Sequence, residues 1–192
     1  MSQTTLDIKE PGLNVLPPGV ERHVVNAGGL TGLQIFPDDE IEIINEEGNQ
    51  ICEIICFDKD GKSELGILNQ KENCKKSFIK ELLKGKDESS LITNLQLKKR
   101  NLDINKSKSS ILFDEQTPSG EKIKIKSKDK CYVIFAAPQN NMLVSEQNPS
   151  SDLTLFIKRY KIVNDKELSI IPDPIYEPNY EENIERQTAI SF

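Results

Sequence analysis

The chain has 192 residues and 21.7 kDa, with 25 Lys/Arg against 31 Asp/Glu, a net charge of −6 and 36% hydrophobic residues. That length suits one domain, or one domain with an arm, and buries about 70% of the unfolded surface. The acidic balance argues against nucleic acid as a partner, and no apolar run approaches the ~20 residues of a membrane span. The start, Met1 to Asp7, lacks a basic n-region and an apolar h-region, so the expectation is a soluble, cytoplasmic protein with no membrane partner.

The charge is unevenly spread. Residues 1–58 hold 2 Lys/Arg and 11 Asp/Glu, residues 59–130 hold 18 and 11, and residues 131–192 hold 5 and 9. The basic middle attracts an anion or an acidic partner, or is a solvated lysine-rich face. It is expected to be an insertion facing solvent or a partner.

Residues 1–19, with Pro11, Pro17 and Pro18, read as an extended arm. Strand patterns begin at Val20. His23-Val24-Val25 leads through the turn cluster Asn26-Ala27-Gly28-Gly29 to Leu33–Phe36. The run around Ile41 and Ile43 is a strand, followed by Glu46-Glu47-Gly48-Asn49, which predicts a hairpin turn, and a return strand from Gln50 to Phe57. The two-residue period of that strand puts Cys52, Ile54 and Cys56 on one face and Ile51, Glu53, Ile55 and Phe57 on the other. A helix is predicted over 72–84, with a stripe of Phe78, Ile79, Leu82 and Leu83 ending at Gly85. A second runs from Ser89 or Ser90 to Arg100 and uses Leu91, Ile92 and Leu95 as its apolar face. Strands resume at 111–113, 122–126, 131–136, 153–157 and 168–171, the Lys-Ile alternation of 122–126 marking an exposed or edge strand. From Pro172 the chain is an acidic, extended tail or linker ending in the apolar stub Ala189–Phe192. The expected class is mainly β, antiparallel sheets in a barrel or sandwich over 20–171, with a helical insertion around 72–100.

Few residues point to chemistry. His23 is the only histidine, which rules out His-rich metal sites and weakens any Ser-His or Cys-His triad. The four cysteines, at 52, 56, 74 and 131, form no CxxC pair. Cys52 and Cys56 stand about 13 Å apart along a strand, too far for one metal ion, and read as core. The glycines of 26–32 fit neither a Walker A loop nor GxGxxG and read as turn chemistry. Glu53 lies between Ile51 and Ile55. On an edge or solvent-facing strand it is ordinary, but buried it needs a donor and becomes a candidate ligand or base. Gln139, Asn140 and Asn141 open a polar loop after the apolar strand, where amides make turns or hold a ligand.

Two blocks carry a family resemblance. Ala27-Gly28, a gap, and then Asp38 through Glu53, with the run Glu47-Gly48-Asn49-Gln50-Ile51-Cys52-Glu53, resembles the urea carboxylase-associated family. Pro138-Gln139-Asn140-Asn141 and Asn148-Pro149 through Phe156 resemble its closing motif. The resemblance implies a β-rich domain and a link to urea and guanidine breakdown. Some members are thought to deiminate a carboxylated guanidine with a metal held by a Cys-Gly-Arg-His-Asp segment and a later Cys. Residues 59–130 have no histidine and one cysteine, and Glu53 stands where the family has Asp, so the fold carries over better than the activity. Similar domains precede folate-dependent aminomethyltransferase modules like the glycine-cleavage T protein.

Three functions follow. The first is an accessory or interaction domain without its own cofactor, beside an aminomethyltransferase-like or urea- or guanidine-metabolising partner, with folate entering only through that partner. The second is a metal-dependent C–N hydrolase whose divalent ion uses Glu53, Cys74, His23 and Cys131. The third is a binder of small amines or ureas using Gln50, Glu53, Gln139, Asn140 and Asn141.

Overall fold

The computed structural model describes residues 16–17, 19–139 and 150–160. Most of the predicted arm, the strand at 168–171, the tail from Pro172, and Asn140 and Asn141 lie outside the described residues. Among the described residues eight strands follow in chain order: β1 (Val20–Val25), β2 (Leu30–Ile35), β3 (Glu40–Asn45), β4 (Cys52–Asp58), β5 (Ser109–Phe113), β6 (Glu121–Lys126), β7 (Cys131–Ala136) and β8 (Leu153–Lys158). Two helices, α1 (Phe78–Leu82) and α2 (Glu88–Lys99), sit between β4 and β5.

The strands form two antiparallel sheets of four, ordered β1-β8-β3-β6 and β2-β7-β4-β5. This is the jelly-roll order of two Greek keys, a sandwich rather than a closed barrel. The mainly β expectation holds, and of its two forms the sandwich is the one adopted. The predicted β3–β4 hairpin is corrected: β3 lies between β8 and β6, and β4 lies between β7 and β5 in the other sheet. The turn is compatible with either course, and here it carries the crossing between sheets. Gly48 and Asn49 both take left-handed φ, +79° and +56°. Asn45 donates from Nδ2 to Gln50 O (3.0 Å) and accepts Gly48 N–H at Oδ1 (3.0 Å), turning the chain away from its own sheet.

The inner faces form one core, with Ile41, Ile43, Leu155 and Ile157 from the first sheet meeting Cys52, Ile54, Cys56, Val133 and Phe135 from the second. The outer face of the second sheet is also covered. There Ile55, Phe57, Ile134 and Ala136 pack under Ile79, Leu83 and Leu97 of the helical segment, each such side chain contributing about 1.5–3 kcal/mol. Burial on both faces is why β4 and β7 read as nearly unbroken apolar runs. β6 is an edge of the first sheet as expected, with Lys122, Lys124 and Lys126 exposed and Lys124 paired to Glu42 across the strands at 3.3 Å.

The helices differ from expectation in two ways. α1 begins only at Phe78, where Ser77 Oγ accepts Lys80 N–H at 3.4 Å, so residues 72–77 are not helical. Asn73 lies beside β5 instead, its N–H reaching Ser109 O at 3.4 Å. Asn73 pairs with both backbone groups of Ile111, accepting N–H at 2.6 Å and donating to C=O at 3.0 Å, and so stands in for a missing strand. α2 turns the opposite face inward from the one its leucines predict: Ser90, Thr93 and Leu97 are buried, while Leu91 and Leu95 are 52% and 60% exposed. Hydrogen bonding decides this. Ser90 Oγ donates to Leu82 O (2.8 Å) and Asn94 Nδ2 to Leu83 O (2.8 Å), satisfying carbonyls at the end of α1.

Of the basic stretch 59–130, the helical part covers the second sheet and the rest supplies β5 and β6. Its lysines are exposed except for the half-buried Lys80 and Lys130. At the end of β8, Arg159 is held by two acids. Its Nε and Nη2 reach the two oxygens of Glu21, each at 2.8 Å, and its Nη1 reaches Asp39 Oδ2 at 2.6 Å. Among the described residues, no helix is long and apolar enough to cross a membrane.

Candidate functional site

A cavity of about 740 Å3 opens where the β1–β2 turn, the starts of both helices and the end of β7 converge. Asn26, Gly28, Phe78, Glu81, Ser89 and Gln139 are among its lining residues. Its walls are built by capping. Asp87 accepts Ser90 N–H at 3.0 Å to start α2, and takes the Ser89 and Ser90 hydroxyls at 2.6 Å each. Those bonds hold the Asp87 carboxyl down at about 2. Ser89 Oγ also accepts Leu30 N–H at 3.2 Å, pinning α2 to the start of β2, and Asp152 Oδ1 accepts Ala27 N–H at 2.8 Å, closing the turn from the β8 side.

Of the residues singled out by sequence, Gln139 lines this cavity and is exposed. It lies against Gly28, whose left-handed φ of +75° and missing Cβ admit the amide side chain. Gln50 is buried beside the cavity and serves the backbone: Nε2 donates to Pro138 O (2.8 Å) and Ile51 O (3.0 Å), and Oε1 accepts Ser151 N–H (2.9 Å). Glu53 is 0% exposed on a central strand, which corrects the edge or solvent-facing position expected for it. Its Oε2 accepts Ile79 N–H at 2.9 Å, while Oε1 has no partner among the described residues. Gln50 and Glu53 thus bond to Pro138 and Ile79, at the cavity's margin, but neither lines it.

No family model matches the chain. It is 31% identical over 185 residues to the trimethylamine-oxide aldolase of Ruegeria pomeroyi. That match takes in 96% of this chain and 23% of the aldolase. The chain therefore spans under a quarter of the length of the curated relative it matches.

The structure does not bring the alternative metal set together. His23 Nε2 sits 3.1 Å from Glu21 on β1, and Cys74 Sγ donates to Lys76 O at 3.1 Å ahead of α1. Cys131 lies in the sandwich core, 3.6 Å from Ser127 Oγ, and Glu53 lies on the far face of the second sheet. Among the described residues, no three His, Cys, Asp or Glu side chains are grouped to hold a metal ion. Cys52 and Cys56 are core residues as expected. Burial pushes the Cys52 thiol up. A hydrogen bond with Cys131 and burial push Cys56 up, and the same bond draws Cys131 down.

Sequence reasoning missed Phe78, Ser89 and Asp87 as cavity residues. The Asp87-Glu88-Ser89-Ser90 run is a readable cap, but no local signal says which strand that helix start will meet.

Proposed function

We propose that the chain is an accessory domain of a larger amine-metabolising protein of the trimethylamine-oxide aldolase kind, acting by interaction beside an aminomethyltransferase-like module. The match of nearly the whole chain to 23% of that aldolase carries this reading. Two further observations support it. Gln50, one of the side chains that sequence suggested for chemistry, is committed to backbone hydrogen bonds that hold loops in place. The blocks that resemble the urea carboxylase-associated family are architectural as well: Gly48 and Asn49 make the crossing turn, and Gln50 clasps the loop after β7.

The test has two arms. The purified chain, supplied with divalent metal, consumes neither trimethylamine N-oxide nor an amidine. The affinity-tagged chain, expressed in its native host, retains an aminomethyltransferase-like polypeptide identified by mass spectrometry. Turnover by the isolated chain overturns the reading.

A further inference from the structure

We propose that the opposite end of the helix-covered sheet is a binding site for a small organic molecule bearing a phosphate or carboxylate group, with Arg100 as the recognition residue. A cavity of about 420 Å3 lies there, bounded by Arg100, Lys59, Lys130, Asp58, Leu102 and Tyr132. Three basic residues and one acid line it, and the Lys130 ammonium lies 5.4 Å from the centroid of Phe36. That acid is already engaged, since Asp58 Oδ1 accepts the N–H groups of Asp60 (2.9 Å) and Lys62 (2.8 Å).

Arg100 is pre-oriented. Its guanidinium lies 4.6 Å over the centroid of Tyr132, and the Tyr132 hydroxyl donates to Gln96 Oε1, which fixes the ring. Stacking occupies the flat face of the guanidinium and leaves its donor edge, the part that grips oxyanions in pairs. Among the described residues, no carboxylate lies within ion-pair distance of Arg100, Lys59 or Lys130. The contrast with Arg159 is direct, because that guanidinium, also partly buried, is saturated by Glu21 and Asp39.

The C-terminus of α2 ordinarily repels anions. Here three of its last four carbonyls are taken: Gln96 O accepts Arg100 N–H (3.1 Å), Leu97 O accepts Leu102 N–H (2.9 Å) and Lys98 O accepts Asn101 N–H (3.1 Å). The cavity is far larger than a bare oxyanion, and Leu102 offers apolar surface, so the ligand is an organic body with a charged head.

The experiment is an NMR titration of the full 192-residue chain with inorganic phosphate and, separately, succinate, at ionic strength held constant with chloride. Melting temperature is avoided as the readout, because phosphate stabilises proteins by exclusion from their surface. Saturable shifts are expected with at least one of the two at the Arg100 Nε–H and at the backbone amides of Lys59, Lys130 and Tyr132, and the amides report on the variants. Phosphate alone assigns a phosphoryl head, and succinate alone a carboxylate. Arg100→Gln weakens binding about tenfold or more, whereas Lys98→Gln, outside the cavity, leaves it unchanged. If Arg100→Gln fails to fold, the Lys59→Gln/Lys130→Gln double variant weakens binding in the same direction. No saturation with either anion, or equal losses in the Arg100 and Lys98 variants, overturns the site.

Discussion

Gly32 tests how the helical layer is seated. It lies on the outer face of β2, in register with Ile134 of β7, next to the Gln34–Tyr132 pair. A Cβ there falls on the Tyr132 hydroxyl, lies 2.7 Å from its Cζ and 3.3 Å from Gln96 Oε1. Tyr132 cannot swing aside cheaply. It is 5% exposed, hydrogen-bonded to Gln96 and stacked under Arg100, and burial pushes its hydroxyl up to about 12 against the Arg100 charge. Gly32→Ala therefore displaces the ring and lifts α2. Overpacking costs about 1–3 kcal/mol, and the lost hydrogen bond about 1 kcal/mol more. The expected loss is about 2–4 kcal/mol, read as a lower urea midpoint at unchanged slope. A double-mutant cycle isolates the contact. In a Tyr132→Leu background the same glycine change costs at least about 1 kcal/mol less. A loss under about 0.5 kcal/mol, or the same loss in both backgrounds, refutes the seating of α2 on β2.

Three further outcomes follow from single contacts. Burial raises the Glu21 carboxyl, but hydrogen bonds and charge from His23 and Arg159 outweigh it and hold the group at about 2. Its folded value is depressed, so its contribution is complete above the unfolded value of about 4.3 and disappears as pH falls toward about 2. With a third of the side chain exposed, that contribution is about 1–2 kcal/mol; Glu21→Gln should lose this much at pH 7 and almost nothing at pH 2, and an equal difference at both pH values sinks the assignment. Glu53→Ala strands the Ile79 N–H and opens a gap, costing about 2–4 kcal/mol, whereas Glu53→Gln keeps an acceptor and the side-chain volume and stays within about 1 kcal/mol of wild type in chemical denaturation. Asn73→Ala uncovers the β5 edge at Ile111, costing about 1–2 kcal/mol and speeding aggregation in light scattering; a variant as soluble and stable as wild type contradicts the edge-capping role.

Local periodicity and punctuation determined much of this protein. Alternation marked the inner face of β4 and Lys-Ile repeats marked β6 as an edge, whereas the Ser77 and Asp87 caps, which set where the helices begin, escape a reading based on periodicity. These are properties of a few consecutive residues, set by backbone sterics and by which face is apolar. Pairing is different. Nothing within Glu46–Asn49 says that β4 joins β7 rather than β3, because a tight polar turn serves a hairpin and a crossing between sheets equally well.

The tertiary structure decided the rest through contacts between separate elements. Ile79 comes down on Glu53 and turns an ordinary acidic residue into a sealed one. The carbonyls of Leu82 and Leu83 draw Ser90 and Asn94 inward and leave Leu91 and Leu95 outside, against their hydrophobicity. Tyr132 meets Arg100 across more than thirty residues and makes a fixed guanidinium out of a helix-ending cation. In the first two cases a hydrogen-bonding group found its partner on another element, 8 to 26 residues away, and leaving that group unpaired would cost more than the local preference it overrode.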